Sequence, residues 1–156
     1  SKLALFASRY FRPTEPEPEL IAKKLLSQIS ALYTTPEYID TLEGKITLTS
    51  LSNTVFIDFN YMNQDYINGL NTFGIPINYS NFKIICNHQK IHWEMTRHGV
   101  GIGIMPIDIG DKEKRVKRVL PKKLVFEREV WLVAHRELRT SCRLKTVFDF
   151  LGDTLR

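Results

Sequence analysis

Residues 87–106 read NHQKIHWEMTRHGVGIGIMP, and this stretch decides the fold class. Asn87 stands where a helix N-cap is expected; the helix runs to about His98, and Gly99 closes it in a left-handed conformation. Ile102 to Met105 then reads as a strand, ended by Pro106. Gly101 and Gly103 let that strand pack closely against its neighbours. The glycines do not form a dinucleotide fingerprint, which follows a strand and opens a helix; these follow a helix and enter a strand. No Gly-Lys-Ser/Thr phosphate loop is present either.

The same alternation continues on both sides. Upstream, Leu3 to Ala7 reads as a buried strand, and Pro13, Pro16 and Pro18 among glutamates mark a surface loop. Leu20 to Leu26 is ambiguous: it could be a short helix, but its length and the following alternation Ile29 to Tyr33 favour extended structure. Thr35-Pro36-Glu37 is a helix start with a Thr cap, Pro at the first position and an acid in the first turn; Gly44 stops that helix. Val55 to Phe59 is a strand, Asn63 to Phe73 a helix ended by Gly74, and Phe82 to Cys86 a strand. Downstream, Phe126 to Ala134 is a longer strand. Leu144, Val147, Phe148, Leu151 and Leu155 then recur at helical spacing after a Thr140/Ser141 cap. Strands alternating with helices predict an α/β layered fold with a partly parallel sheet.

At 156 residues and 43% hydrophobic, the chain can bury a real core. The net charge of +5 permits an anionic partner without demanding one. The densest basic run, Lys112 to Lys123, holds seven Lys or Arg but neither interleaved aromatics nor a helix-turn-helix pattern. It reads as a solvated loop, not as a nucleic-acid site. Two cysteines, Cys86 and Cys142, make no disulfide framework, so a reducing cytoplasm is expected. No apolar run reaches membrane-spanning length. The apolar run at residue 3 has no lead-in, cap or turn, which predicts that the sequence begins inside a longer protein.

The reactive side chains do not assemble into a convincing catalytic set. His88 and His92 stand four apart with Glu94 and His98 nearby, half of a metal site, but Gln89 stands where a zinc protease needs its glutamate. Cys86 and His88 could meet as nucleophile and base, with no third group to orient them. No Gly-x-Ser-x-Gly elbow exists. The helix start Cys86-Asn87-His88 is the better candidate. Its free N–H groups and positive dipole end suit a carboxylate or other anion. Thr34-Thr35-Pro36 has the same logic.

The order of motifs resembles a known family. Leu32 to Ile39 resembles the Ala-Ser-Pro-x-Tyr-Leu segment of LysR-type transcriptional regulators, and Asn87 to Pro106 resembles their Gly-Leu-Gly-Ile-x-x-x-Pro segment. Arg118-Val119-Leu120-Pro121 resembles the next piece. Trp131 to Arg139 and Val147 to Leu151 resemble the closing strand and helix. The resemblance implies an effector-binding domain of α/β fold, similar to type 2 periplasmic binding proteins, with two lobes joined by crossover strands at about Leu26 to Thr34 and Val125 to Ala134. Residues 26–134 would supply the hinge strands and the second lobe. Residues 1–25 and 135–156 would supply part of the first lobe, which is incomplete. The winged helix-turn-helix and about the first third of the effector domain are absent from this sequence.

What this implies is a cytoplasmic ligand sensor. A small effector, an anionic metabolite, would bind between the lobes, bias their closure and act through a DNA-binding domain that the sequence does not contain. Self-association as a homodimer or tetramer is expected, with no membrane partner, no cofactor, no metal and no enzymatic activity. Thr34 and Thr35 at one helix start, Phe59 and Asn60 after a strand, and Asn87 and His88 at the other helix start are the expected effector contacts. A free-standing solute-binding protein of the same fold is the alternative, and a metal-dependent enzyme a third.

Overall fold

The computed structural model describes residues 7–9, 20–59, 63–135 and 142–154. The expected strand residues Leu3 to Phe6, the proline loop, Asn60, the Thr140/Ser141 cap and Leu155 lie outside the described residues. The chain forms two compact units, Ser1–Ile29 with Glu127–Arg156, and Ser30–Phe126.

In the first unit, β1 (Ala7–Arg9) pairs antiparallel with β7 (Val125–His135), from Ala7 opposite Val133 to Arg9 opposite Trp131. β7 neighbours β2 (Leu20–Thr34). The ambiguous stretch Leu20 to Leu26 is therefore strand, as its alternation favours. Leu25, Leu132, Val133 and Ala134 are buried. Lys24 pairs with Glu129 at 2.6 Å, and Lys23 with Asp153 of α5 (Cys142–Thr154) at 3.5 Å.

In the second unit, Ser30 to Tyr33 of β2 pair antiparallel with β5 (Gly103–Pro106), from Ser30 opposite Pro106 to Tyr33 opposite Gly103. The short β6 (Lys117–Arg118) pairs with the end of β2. β3 (Ile57–Phe59) and β4 (Ile84–Cys86) run parallel. A parallel bridge joins Phe56 to Ile102, with Ile57 N–H donating to the Ile102 carbonyl at 3.0 Å and Ile102 N–H to the Val55 carbonyl at 2.8 Å. Helices α1 (Pro36–Asp40), α2 (Asn63–Thr72), α3 (Gln89–Arg97) and α4 (Ile107–Gly110) connect these strands.

The strand period sorts the core into two faces. Leu32, Phe56 and Ile102 pack with Tyr66, Ile67 and Leu70 of α2, while Ala31, Tyr33 and Met105 pack with Trp93 of α3. Tyr33 and Trp93 meet edge to face, centroids 5.8 Å apart at 88°. A strand covered on both faces must be apolar throughout, which is why β2 reads Ala31-Leu32-Tyr33 at this point. α3 lies close because Gly103 has no side chain; a Cβ there would strike Thr96 Oγ1 and stand 2.9 Å from His92 Nε2. A Cβ on Gly101 would stand 2.6 Å from the Val55 carbonyl oxygen.

Two expected helix boundaries are corrected. α1 ends at Asp40 with Thr41 as its C-cap, whose hydroxyl donates to the Tyr38 carbonyl at 2.6 Å. Gly44, with φ 79°, turns the chain only after the helix has closed. The N-cap of α3 is His88, not Asn87: residue 88 has the extended backbone of a cap (φ −131°, ψ 123°), and its Nδ1 accepts from Lys90 N–H at 3.3 Å. At the other end Gly99 takes φ 70°, as a helix-closing glycine must. Among the described residues no helix is long and apolar enough to cross a membrane.

Candidate functional site

β5 runs parallel to β3 and antiparallel to β2, so the second unit has two distinct strand edges. Phe59, Cys86 and Pro106 end their strands at one of them, with Ser30 opposite Pro106 and the Asn87-His88 helix start just beyond Cys86. β2 finishes at the other edge, where Thr34 and Thr35 sit. The described residues among the six expected contacts are thus divided between the edges. Asn60 and the Phe59 side chain lie outside the described residues.

At the far edge the threonines are sealed. Thr34 is fully buried, and its hydroxyl donates to the Gly101 carbonyl at 2.9 Å. Thr35 is 5% exposed; its Oγ1 accepts from Tyr38 N–H at 3.2 Å and caps α1, as its sequence predicts. Gly99 presses on it so closely that a Cβ there would stand 2.5 Å from that oxygen. Both threonines therefore abut the closing turn of α3, while His88 opens the same helix. Nine helical residues separate those two points by about 14 Å. Thr35 and His88 do not form one cluster.

At the carboxyl edge, Asn87 and His88 are exposed. Asn87 is released from capping, since His88 does that work, and its amide side chain is available to a ligand. Cys86 is buried, and its Sγ donates to the Asp58 carbonyl oxygen at 3.4 Å. Burial pushes the Cys86 thiol up, the charge of Asp58 adds to this, and a backbone hydrogen bond from His88 partly offsets it. A thiol held protonated is a poor nucleophile. The His88 ring is turned to Lys90 N–H, so the Cys86–His88 pairing weighed from the sequence has no geometric support.

His92 is not on the surface with His88. It is fully buried beneath Gly103, and its Nε2 accepts from Ile104 N–H at 3.1 Å, tying α3 to β5. Among the described residues no three His, Cys, Asp or Glu side chains are grouped to hold a metal ion. The reading of the sequence missed Asp58, a fully buried carboxylate in β3 beside Cys86. The signal was there, an acid within the otherwise apolar run Val55 to Phe59, where burying a charge is costly and so seldom accidental.

A family model described as LysR substrate binding domain matches residues 6–156. No curated protein sequence matches. Among solved structures, the chain is similar to the regulatory domain of CrgA, a LysR-type transcriptional regulator from Neisseria meningitidis, at 17% identity and a TM-score of 0.73, covering 97% of this chain and 75% of that one. It is similar to the C-terminal domains of a LysR family protein from Agrobacterium tumefaciens str. C58 at 14% identity and a TM-score of 0.76, covering 97% and 72%. The effector-binding domain of QuiR, solved in complex with shikimate, aligns at 16% identity with a TM-score of 0.70, covering 96% and 71%. These likenesses show the α/β fold that such domains share.

Proposed function

Because the chain belongs to the LysR substrate-binding domain family, we propose that it is the effector-sensing part of a cytoplasmic LysR-type transcriptional regulator. In this reading the effector contact lies at the carboxyl edge of β3 and β4, among Phe59, Asn60, Asn87 and His88. The observation that carries it is the parallel register from Ile57 opposite Ile84 to Phe59 opposite Cys86. Open α/β sheets bind ligands beyond the carboxyl ends of their parallel strands. Here two strand ends meet the first turn of a nine-residue helix and an exposed asparagine.

The N–H groups of that turn favour an anion, and the Asn87 amide adds a donor and an acceptor. The effector is accordingly a small anionic metabolite. QuiR, whose effector-binding domain is seen with shikimate, supports a small-molecule effector of this kind. Thr34 and Thr35 hold the architecture behind the site rather than touching ligand. Residues 26–134 act as hinge strands and one lobe, with residues 1–25 and 135–156 in the other. Effector binding biases the population of domain arrangements in a homodimer or tetramer and so reaches a DNA-binding domain elsewhere in the regulator.

The test is calorimetry on the full-length regulator with a panel of small carboxylates, shikimate included. For the carboxylate that binds, Asn87→Ala is expected to weaken affinity by about tenfold, the worth of one hydrogen bond of about 1.4 kcal/mol. Thr35→Ala should lower stability and leave affinity unchanged. An unchanged affinity in Asn87→Ala, or a loss in Thr35→Ala alone, sinks the assignment.

A further inference from the structure

The charge of this protein is concentrated in one place. Residues 111–123 carry seven Lys and Arg and two acids, while the other residues carry fifteen of each sign. The whole net charge of +5 thus resides in thirteen residues. The structure shows which of these charges are already used. Arg118 forms a two-pronged pair with Asp111, its Nε 2.7 Å from Oδ1. Arg115 pairs with Glu113 at 3.1 Å, and Arg97 of α3 reaches the same Glu113 at 2.8 Å. Both acids are therefore neutralised by arginines. Lys112, Lys114, Lys117, Lys122 and Lys123 are exposed, and among the described residues their ammonium groups make no ion pair or hydrogen bond.

These lysines are not on a loose tail. Val116, Val119 and Leu124 are buried between them, and Leu120 takes a turn at φ 47°. Val119 N–H donates to the Leu32 carbonyl at 2.8 Å, Lys123 N–H to the Leu120 carbonyl at 2.9 Å, and Lys117 pairs with Thr34 in the sheet. The backbone is fixed to the core while the ammonium groups stand in solvent.

We propose that residues 111–123 form a docking surface for the phosphate backbone of duplex DNA. An acidic protein partner fits less well, because protein interfaces centre on buried aromatic or apolar anchors, and the apolar residues here point inward. Phosphate contact needs only positioned cations, and it is independent of base sequence. The absence of aromatics and of a groove-reading helix is what such contact permits. This goes beyond the proposed function, in which DNA is reached through a separate domain; here the sensing domain itself also meets the backbone.

Fluorescence anisotropy of this chain with a short labelled duplex of arbitrary sequence tests it. Engaging four or five phosphates predicts a log–log salt slope of about −4, so affinity should fall about 250-fold between about 50 and 200 mM salt. Replacing all five lysines by Gln should flatten that slope toward zero without changing the melting temperature materially. The matched pairs K114Q/K117Q and K45Q/K83Q separate a local surface from net charge, since all four residues are exposed. The first pair should weaken binding at least tenfold and the second less than threefold, a gap too wide for a generic charge effect. Equal losses in the two pairs, a slope near zero in the unaltered chain, or tighter binding to polyglutamate or to phosphatidylserine vesicles than to duplex overturns the proposal.

Discussion

The starts of α1 and α3 satisfy the same orphan amides and meet different surroundings. Each cap residue has extended backbone, φ −77° and ψ 152° at Thr35, φ −131° and ψ 123° at His88. Each offers one side-chain acceptor to an N–H, at 3.2 and 3.3 Å. Yet Thr35 is 5% exposed beneath the Gly99 turn, whereas His88 and its neighbour Asn87 are exposed at the ends of parallel strands. A cap signature therefore marks a helix start and nothing more. Whether the start can receive a ligand depends on what the rest of the chain lays over it.

The largest effect should come from disturbing the seal over α1. Gly99→Ala puts a methyl 2.5 Å from Thr35 Oγ1 at a φ of 70°, so steric overlap and left-handed strain act together. Each costs about 1–3 kcal/mol, and a total near 3 kcal/mol is expected from urea unfolding. Gly44→Ala supplies the comparison, because Gly44 has φ 79° but nothing within 4 Å of an added Cβ. It should cost about 1 kcal/mol, the strain alone. If the two variants lose equal stability, Gly99 is only a turn residue and does not seal Thr35.

A second test uses pH at the same edge. Tyr33, one residue before Thr34, is 1% exposed, and its hydroxyl donates to Asp111 Oδ1 at 2.8 Å. Burial first, then the hydrogen bond and charge of Asp111, push the Tyr33 phenol from 10.0 up to about 12. The folded state then holds this proton longer than the unfolded one. The resulting stability is complete below pH 10 and lost as pH rises toward 12. Its size is at most just under about 3 kcal/mol, two pKa units at roughly 1.4 kcal/mol each. Tyr33→Phe should remove this part of the alkaline decline. The buried Cys86 thiol, also raised, acts in the same direction from about pH 9 in both proteins. Asp111 works oppositely: the Arg118 guanidinium holds its carboxyl below the usual carboxylate range, so its contribution is present above about pH 4 and fades as pH falls further. Alkaline melting curves that coincide for Tyr33→Phe and the unaltered protein would refute the sealed environment of this edge.

Much of this architecture was legible because local chemistry agreed with the fold. Thr35-Pro36-Glu37 could scarcely be anything but a helix start, and Gly99 closes α3 as its position after Arg97-His98 implies. The α/β order followed from the alternation of periods. The site was harder to read. Asn is a stronger N-cap former than His, so propensity chose Asn87, while the end of β4 at Cys86 sets the register and gives the cap to His88. His88 and His92 share helical spacing, but spacing does not say that Gly103 draws one of them into the core. Thr34 and Thr35 looked equivalent to Asn87 because sequence carries no strand direction. Only the antiparallel pairing of β2 with β5 sends them to the opposite edge.

The smallest effect separates the caps themselves. Thr35→Ala deletes a buried hydroxyl that caps α1 and should cost about 1–2 kcal/mol. Thr35→Ser keeps the oxygen and should recover most of that loss, leaving only the missing methyl. His88→Ala removes an exposed acceptor whose amide partner water can reach, so about 0.5 kcal/mol is expected. Effector binding should run the other way. The His88 change alters affinity while the Thr35 changes do not, because one cap borders an open strand edge and the other lies under a turn. Equal stability losses at Thr35 and His88 would mean that burial adds nothing to the cap of α1, and the distinction between a sealed and an open helix start would then have to rest on ligand affinity alone.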